Sequence, residues 1–130
     1  MKTAVLISYM ILILGTSLIP MDREIEGLNF IIRLKPTIQN LLHVPAYALL
    51  AIFWLQVVRP HLQGCKGIVL VLFLTVGFGI INEFVQLSVP GRYPGIMDIA
   101  LNTIGSIIGI MLCYKLKRDS NTLIKRSVCL

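Results

Sequence analysis

Five polar side chains that could bind a ligand or transfer a proton lie within twenty residues of an otherwise apolar stretch. They are Glu83, Gln86, Arg92, Asp98 and Asn102, and they follow the end of one apolar segment, a Pro/Gly-rich loop and the start of the next. Carboxyl groups can exchange protons or accept hydrogen bonds, and a guanidinium can pair with an anionic group. Because ionisable groups at membrane depth are costly and usually face a bundle interior, we interpret the five residues as one site.

The composition shows which kind of element must position this site. Hydrophobic residues make up 56% of the chain, charged residues only 14%, and the mean hydropathy is +0.84. These values lie outside the range of soluble domains and predict a membrane protein whose main partner is the lipid bilayer. The chain has twelve Lys and Arg against six Asp and Glu, but the basic residues flank apolar segments, so no nucleic-acid partner is expected.

The hydropathy pattern predicts an all-α integral membrane bundle of four transmembrane helices in a single domain of residues 1–130. The expected helices cover about residues 4–20, 41–58, 68–88 and 96–114, and a basic cytoplasmic tail follows at residues 115–130. Residues 21–40 are expected to form an interfacial loop with a short amphipathic turn. Small residues at Gly15, Thr16 and Ser17 make a cleaved signal peptide the rival interpretation of the first segment, and we expect this segment to be retained.

The distribution of basic residues predicts the orientation of the helices. With four spans and both termini on one side, that side holds eight Lys and Arg and the other side holds four. Cytoplasmic flanks retain basic residues, so both termini are expected in the cytoplasm of a multi-pass plasma-membrane protein. The three cysteines, Cys65, Cys113 and Cys129, then lie in or near a reducing compartment. We expect no disulfide, no metal site and no cofactor.

This topology predicts that polar residues of three helices converge at the outer leaflet. His43 lies in the first turn of the second helix, with Tyr47 one turn deeper on the same face. Glu83 and Gln86 share a face near the end of the third helix, and Asp98 and Asn102 share one at the start of the fourth.

The same residues carry a family resemblance. The run resembles the VanZ-like family of small membrane proteins, whose pattern is Glu-x-x-Gln, Pro-x-Arg, Asp and Asn-x-x-Gly-x-x-x-Gly. The matching residues here are Glu83, Gln86, Pro90, Arg92, Asp98, Asn102, Gly105 and Gly109. His43 and Tyr47 resemble the family's upstream His-x-x-x-Tyr, whereas Gln39 and Asn40 stand where the family usually has Asp-Lys. The resemblance covers about residues 39–114 and implies a role in resistance to glycopeptide antibiotics such as teicoplanin, but it implies no particular reaction.

Most of these residues also have a structural interpretation. Gly105 and Gly109 are typical of a packing face between helices, and Asn102 of a hydrogen bond between helices. Asp98 can interact with the positive end of its own helix, and Arg92 can pair with Asp98 or meet a lipid phosphate. For Glu83 we favour a functional role, because an ionisable group costs about 2.5 to 3.5 kcal/mol near mid-membrane and less near the interface, and it usually faces the bundle interior.

Three classes of function fit the predicted site. The first, which we favour, is a pocket for an anionic envelope lipid or a glycopeptide, with Arg92, Gln86, Asn102 and Tyr47 as ligand-binding residues. The second is a membrane-embedded enzyme acting on lipid-linked or phosphate-bearing intermediates, with Glu83, His43 or Asp98 as catalytic candidates, although the sequence shows no nucleophile. The third is a small proton-coupled transporter that uses Glu83. The sequence predicts no oligomeric state.

Overall fold

The chain folds into helices. A computed structural model describes residues 1–20, 36–62, 64–92 and 95–128, and every regular element in these ranges is an α-helix. The helices are α1 (Lys2–Ser17), α2 (Pro36–Leu41), α3 (His43–Val58), α4 (Gly64–Gln86) and α5 (Ile96–Val128). The all-helical class and the four long helices are therefore confirmed. Most of the predicted interfacial loop, residues 21–35, lies outside the described residues.

Two helices are long and apolar enough to cross a membrane. They are α4, with a mean hydropathy of 2.3, and the first 22 residues of α5, Ile96–Lys117, with 1.9. Only 33% of each apolar window is buried within the chain, and large side chains such as Phe73, Phe84 and Met111 are exposed. Exposed apolar surface of this kind is typical of a helix that faces lipid or another protein. The helices α1 and α3 are also apolar, but each has 16 residues and measures only about 24 Å.

The bounds of all four long helices differ from the sequence-based ones. Helix α1 covers Lys2–Ser17 rather than 4–20, and α3 begins at His43 rather than at 41. Helix α4 begins at Gly64 and ends at Gln86, so it lies four residues earlier at its start and two at its end. Helix α5 does not end at Tyr114 but continues to Val128. Hydropathy falls after Tyr114, yet residues 110–128 contain no Gly or Pro that would end a helix. A turn containing Gly91 at φ 77° separates α4 from α5.

Helix α3 packs against α1, α4 and α5 and is the central element of the bundle. On one side, Leu50 joins Leu6 and Phe78 in an apolar cluster that links α1, α3 and α4. On the other side, Leu55 joins Val71 and Ile110 in a second cluster that links α3, α4 and α5.

The closest approach is between α3 and α5. Gly105 and Gly109 of α5 lie against the backbone of Val44 and Ala48 of α3. A Cβ atom at Gly109 would lie 2.8 Å from the Cα of Ala48, which is closer than real Cβ contacts. The two glycines, spaced four apart on α5, allow this contact, as is common where helices pack in membranes.

The direction of the helices brings most of the polar side chains to one end of the bundle. Helices α1 and α4 end there, and α3 and α5 begin there; we call this the polar end. At the opposite end, the guanidinium of Arg59 lies 4.4 Å from the ring centroid of Tyr114 and 3.5 Å from Sγ of Cys113. Contacts at both ends therefore fix the register of the bundle.

Candidate functional site

The first part of the site lies between α3 and α5. Nδ1 of His43 lies 2.9 Å from Oδ1 of Asn102, and the His43 ring stacks on Tyr47 with centroids 6.1 Å apart. Asn102 and Tyr47 are almost completely buried. Gly79 of α4 packs directly against both side chains. A Cβ at this position would lie 2.9 Å from Nδ2 of Asn102 and 3.2 Å from the Tyr47 ring. His43, Tyr47 and Asn102 thus form one polar cluster inside the bundle.

The second part lies at the start of α5. Oδ2 of Asp98 accepts a hydrogen bond from the backbone N–H of Gly95 at 3.2 Å, while Oδ1 has no partner among the described residues. Asp98 is the third residue of α5, so this is the acidic half of a capping box, and its charge also interacts favourably with the helix dipole. Asp98 is buried although it stands in a first turn.

Arg92 joins the loop before α5 to the end of α1. Its Nη2 donates to the carbonyl of Thr16 at 2.9 Å, and its Nε donates to the carbonyl of Ile19 at 3.4 Å. Burial lowers the pKa of Arg92 from its usual value, and the nearby carboxyl groups of Glu83 and Asp98 act in the opposite direction. The guanidinium therefore satisfies carbonyls at a helix C-terminus and lies within electrostatic reach of both acids.

Gln86 also contacts α1 rather than the other polar residues of the site. Its Nε2 donates to Oγ of Ser17 at 3.2 Å, and both side chains are buried. The sequence points to Ser17 only as part of a possible cleavage site, because a serine at the end of an apolar segment carries no signal of a polar contact. The bond helps to hold α1 against α4.

Glu83 is the buried acid of the site. Its side chain is only 6% exposed, and neither carboxyl oxygen has a well-formed hydrogen bond in the described part of the chain. Among the described residues, the charged groups that interact electrostatically with Glu83 are Asp98 and Arg92. The backbone N–H of Gly95 also faces Glu83, although it donates its hydrogen bond to Asp98. A buried carboxyl group without a partner is costly, so its environment is incomplete.

Sequence reasoning also missed Asn82. This residue is fully buried in α4, and neither Oδ1 nor Nδ2 has a partner within the described ranges. The signal was present, since Asn82 is a polar residue next to Glu83 in an otherwise apolar segment. Polar atoms also lack partners on the neighbouring helices, at the Tyr47 hydroxyl and Nδ2 of Asn102. The interior of the polar end thus holds more polar groups than it satisfies.

The groups at the polar end that could transfer a proton are Glu83, Asp98 and His43. Acids and a histidine are present, but a nucleophile in contact with a base is not found among the described residues. Ser106 donates to the carbonyl of Asn102, Cys65 is exposed at the start of α4, and Cys113 lies at the opposite end. Within the same residues, no group of three His, Cys, Asp or Glu side chains is placed to hold a metal ion.

Comparison with known proteins gives one match. A protein-family model described as VanZ/LLP1 matches residues 4–118. Searches of curated proteins and of solved structures give no match. The matched residues are most of the chain and include every residue of the polar end described above. This chain therefore belongs to the VanZ/LLP1 family.

Proposed function

We propose that this protein is a multi-pass plasma-membrane protein whose polar end binds the headgroup of an envelope amphiphile and thereby contributes to glycopeptide resistance of the teicoplanin type. The family and the two long apolar helices indicate a membrane protein. Four helices that alternate in direction, together with the excess of basic residues near the chain ends, support cytoplasmic termini. The polar end then faces the outer leaflet.

The observation that carries this proposal is the incomplete environment of Glu83. A buried carboxyl group beside Asp98 and Arg92 has no well-formed hydrogen bond within the described chain. A structural role would be better served by satisfied polar groups, because an unsatisfied one costs about 1 to 3 kcal/mol. A bound headgroup would supply the missing partners.

Arg92 can serve both the fold and a ligand. A guanidinium has five N–H donors, and the contacts to Thr16 and Ile19 engage only Nε and Nη2. Within the described ranges no further hydrogen bond of Arg92 is found, so its remaining donors can meet an anionic group of the ligand, such as a phosphate. The two contacts to α1 hold the guanidinium in place, which reduces the entropy lost on binding.

The test is a resistance assay in a glycopeptide-susceptible bacterial host that expresses this chain. We expect the double variant Arg92→Ala, Asp98→Ala to lose protection against teicoplanin at wild-type expression level. The control is the double variant Val69→Ala, Met111→Ala, which changes two exposed apolar residues away from the polar end. Full protection by the Arg92→Ala, Asp98→Ala variant would overturn the functional role of the polar end.

A further inference from the structure

An open groove lies between α4 and α5 beside the polar end. Its volume is about 170 Å³, and it is lined by Ile80, Glu83, Phe84, Leu87, Gly95, Ile96 and Ile99. Phe84, Leu87 and Ile96 are strongly exposed, so the groove opens on the outer surface of the bundle rather than into its centre. If α4 and α5 span the membrane, this surface faces lipid.

Among the described residues that line this groove, Glu83 is the ionisable one. Its side chain is more than nine-tenths buried, and its carboxyl oxygens lack partners in the described structure. The remaining lining residues are apolar or glycine. The apolar lining matches part of a lipid tail in polarity, and Glu83 selects what is attached to the tail.

The charges around Glu83 favour a cationic donor. Among the described residues, the charged groups that act on Glu83 are the acid Asp98 and the base Arg92. The N–H of Gly95 already donates to Asp98. The groove therefore has an excess of acceptor oxygens, and an N–H donor with positive charge would complement them better than an anion would.

From these observations we infer that the groove binds an aminolipid, with one hydrocarbon chain along the apolar lining and its primary ammonium group donating to Glu83. This inference rests on the proposed function and specifies the class of its ligand. The ammonium group meets Glu83, and the phosphate of the same headgroup meets the free donors of Arg92. Both contacts lie at the level where α4 ends and α5 begins.

The test is lipid binding to the purified full-length protein in detergent, measured by native mass spectrometry. The probes are phosphatidylethanolamine, phosphatidylcholine, which has the same phosphate but no N–H donor, and phosphatidylglycerol, which is anionic. We expect one phosphatidylethanolamine to bind about tenfold more tightly than either of the others, since hydrogen bonds to charged groups are strong. Glu83→Gln should reduce this preference to the level of phosphatidylcholine.

A second variant tests the groove itself. Ile80→Trp fills the apolar lining and should weaken binding of phosphatidylethanolamine about tenfold or more. Ile81→Trp is the matched control, because Ile81 is exposed on the same helix but does not line the groove. This control should bind like the wild type, and helical circular dichroism confirms that both variants are folded.

The outcomes separate this inference from the proposed function. Equal binding of phosphatidylethanolamine and phosphatidylcholine, or a preference that survives Glu83→Gln, would overturn the aminolipid. Tighter binding of phosphatidylglycerol that is lost in Glu83→Gln would also overturn it, but would leave the polar end as a lipid-binding site. The resistance assay with Arg92→Ala, Asp98→Ala tests the proposed function independently of these lipids.

Discussion

Asn102 connects the two most closely packed helices at the polar end. Its Oδ1 pairs with Nδ1 of His43, and its side chain fills the space that Gly79 leaves open. We expect Asn102→Ala to lower the free energy of unfolding by about 1 to 3 kcal/mol, because it removes a fully buried side chain and leaves the half-buried His43 nitrogen without its partner. Chemical unfolding in detergent, followed by circular dichroism, measures this change.

A double-mutant cycle identifies the contact responsible. The variants Asn102→Ala, His43→Ala and their combination should show a coupling free energy of about 0.5 kcal/mol or more. Strictly additive effects would mean that the two side chains do not stabilise the bundle through each other. Phe73→Ala, at an exposed position on α4, provides the control for unspecific loss of apolar surface.

Glu83 leads to the opposite expectation for stability. A neutral amide is cheaper to bury than an unpartnered carboxylate, and Gln keeps the size of Glu. We therefore expect Glu83→Gln to unfold at a temperature equal to or above that of the wild type in detergent without added lipid. Teicoplanin resistance of the same variant should be partly retained if Glu83 belongs to a binding pocket, and abolished if it carries a proton.

A lower unfolding temperature for Glu83→Gln would contradict this expectation. It would show that the carboxyl group has a stabilising partner in the folded protein, and the argument for an incomplete site would fail. Thermal unfolding followed by circular dichroism distinguishes the two outcomes. Repeating the measurement with phosphatidylethanolamine then shows whether the lipid changes which of the two proteins unfolds at the higher temperature.

At the scale of elements, the contact between α3 and α5 depends on two glycines. A Cβ at Gly105 would overlap the backbone carbonyl of Val44, and a backbone cannot move aside as a flexible side chain can. We expect Gly105→Leu to lower the free energy of unfolding by roughly 1 to 3 kcal/mol through overpacking. The measurement is again unfolding in detergent.

Gly77 provides the matched control, because a Cβ there would meet no atom within 4 Å. Replacing a helical glycine by alanine at an open position removes an entropic cost, so Gly77→Ala should raise stability by up to about 1 kcal/mol. If Gly105→Leu were as harmless as Gly77→Ala, α5 would not pack on α3 as the structure describes.

The elements were more predictable than their contacts. Apolar runs bounded by Pro, Gly and charged residues indicated four long helices, and the helical spacing brought His43 and Tyr47 together in the first turns of α3. The continuation of α5 beyond Tyr114 was not predicted, because the prediction followed hydropathy rather than helix propensity.

The partners of the polar residues were the least predictable part. These helices are apolar on nearly all sides, so no polar stripe identifies which face is buried. Gln86 and Arg92 therefore meet α1, at Ser17 and Thr16, although no local pattern relates residues 69 and 76 positions apart. Such bonds depend on how each helix is rotated in the bundle, which only the packed structure defines.

At the scale of the whole molecule, the position of the polar end relative to the membrane decides what it can bind. Helix α4 measures about 34 Å, which is enough to cross the hydrocarbon core, so its two ends should lie on opposite sides. Cys65 is exposed at its start, and Ser88 is exposed just after its end. These two positions can report the orientation of the same helix.

We expect a membrane-impermeant maleimide added to intact cells to label Ser88→Cys in a background where Cys65, Cys113 and Cys129 are replaced by Ser. The wild-type Cys65, as the only cysteine, should react only after the membrane is permeabilised, because the excess of basic residues retains its side in the cytoplasm. Labelling of Cys65 but not of Ser88→Cys in intact cells would reverse the topology. The polar end would then face the cytoplasm, where a glycopeptide acting on the outer surface could not reach it.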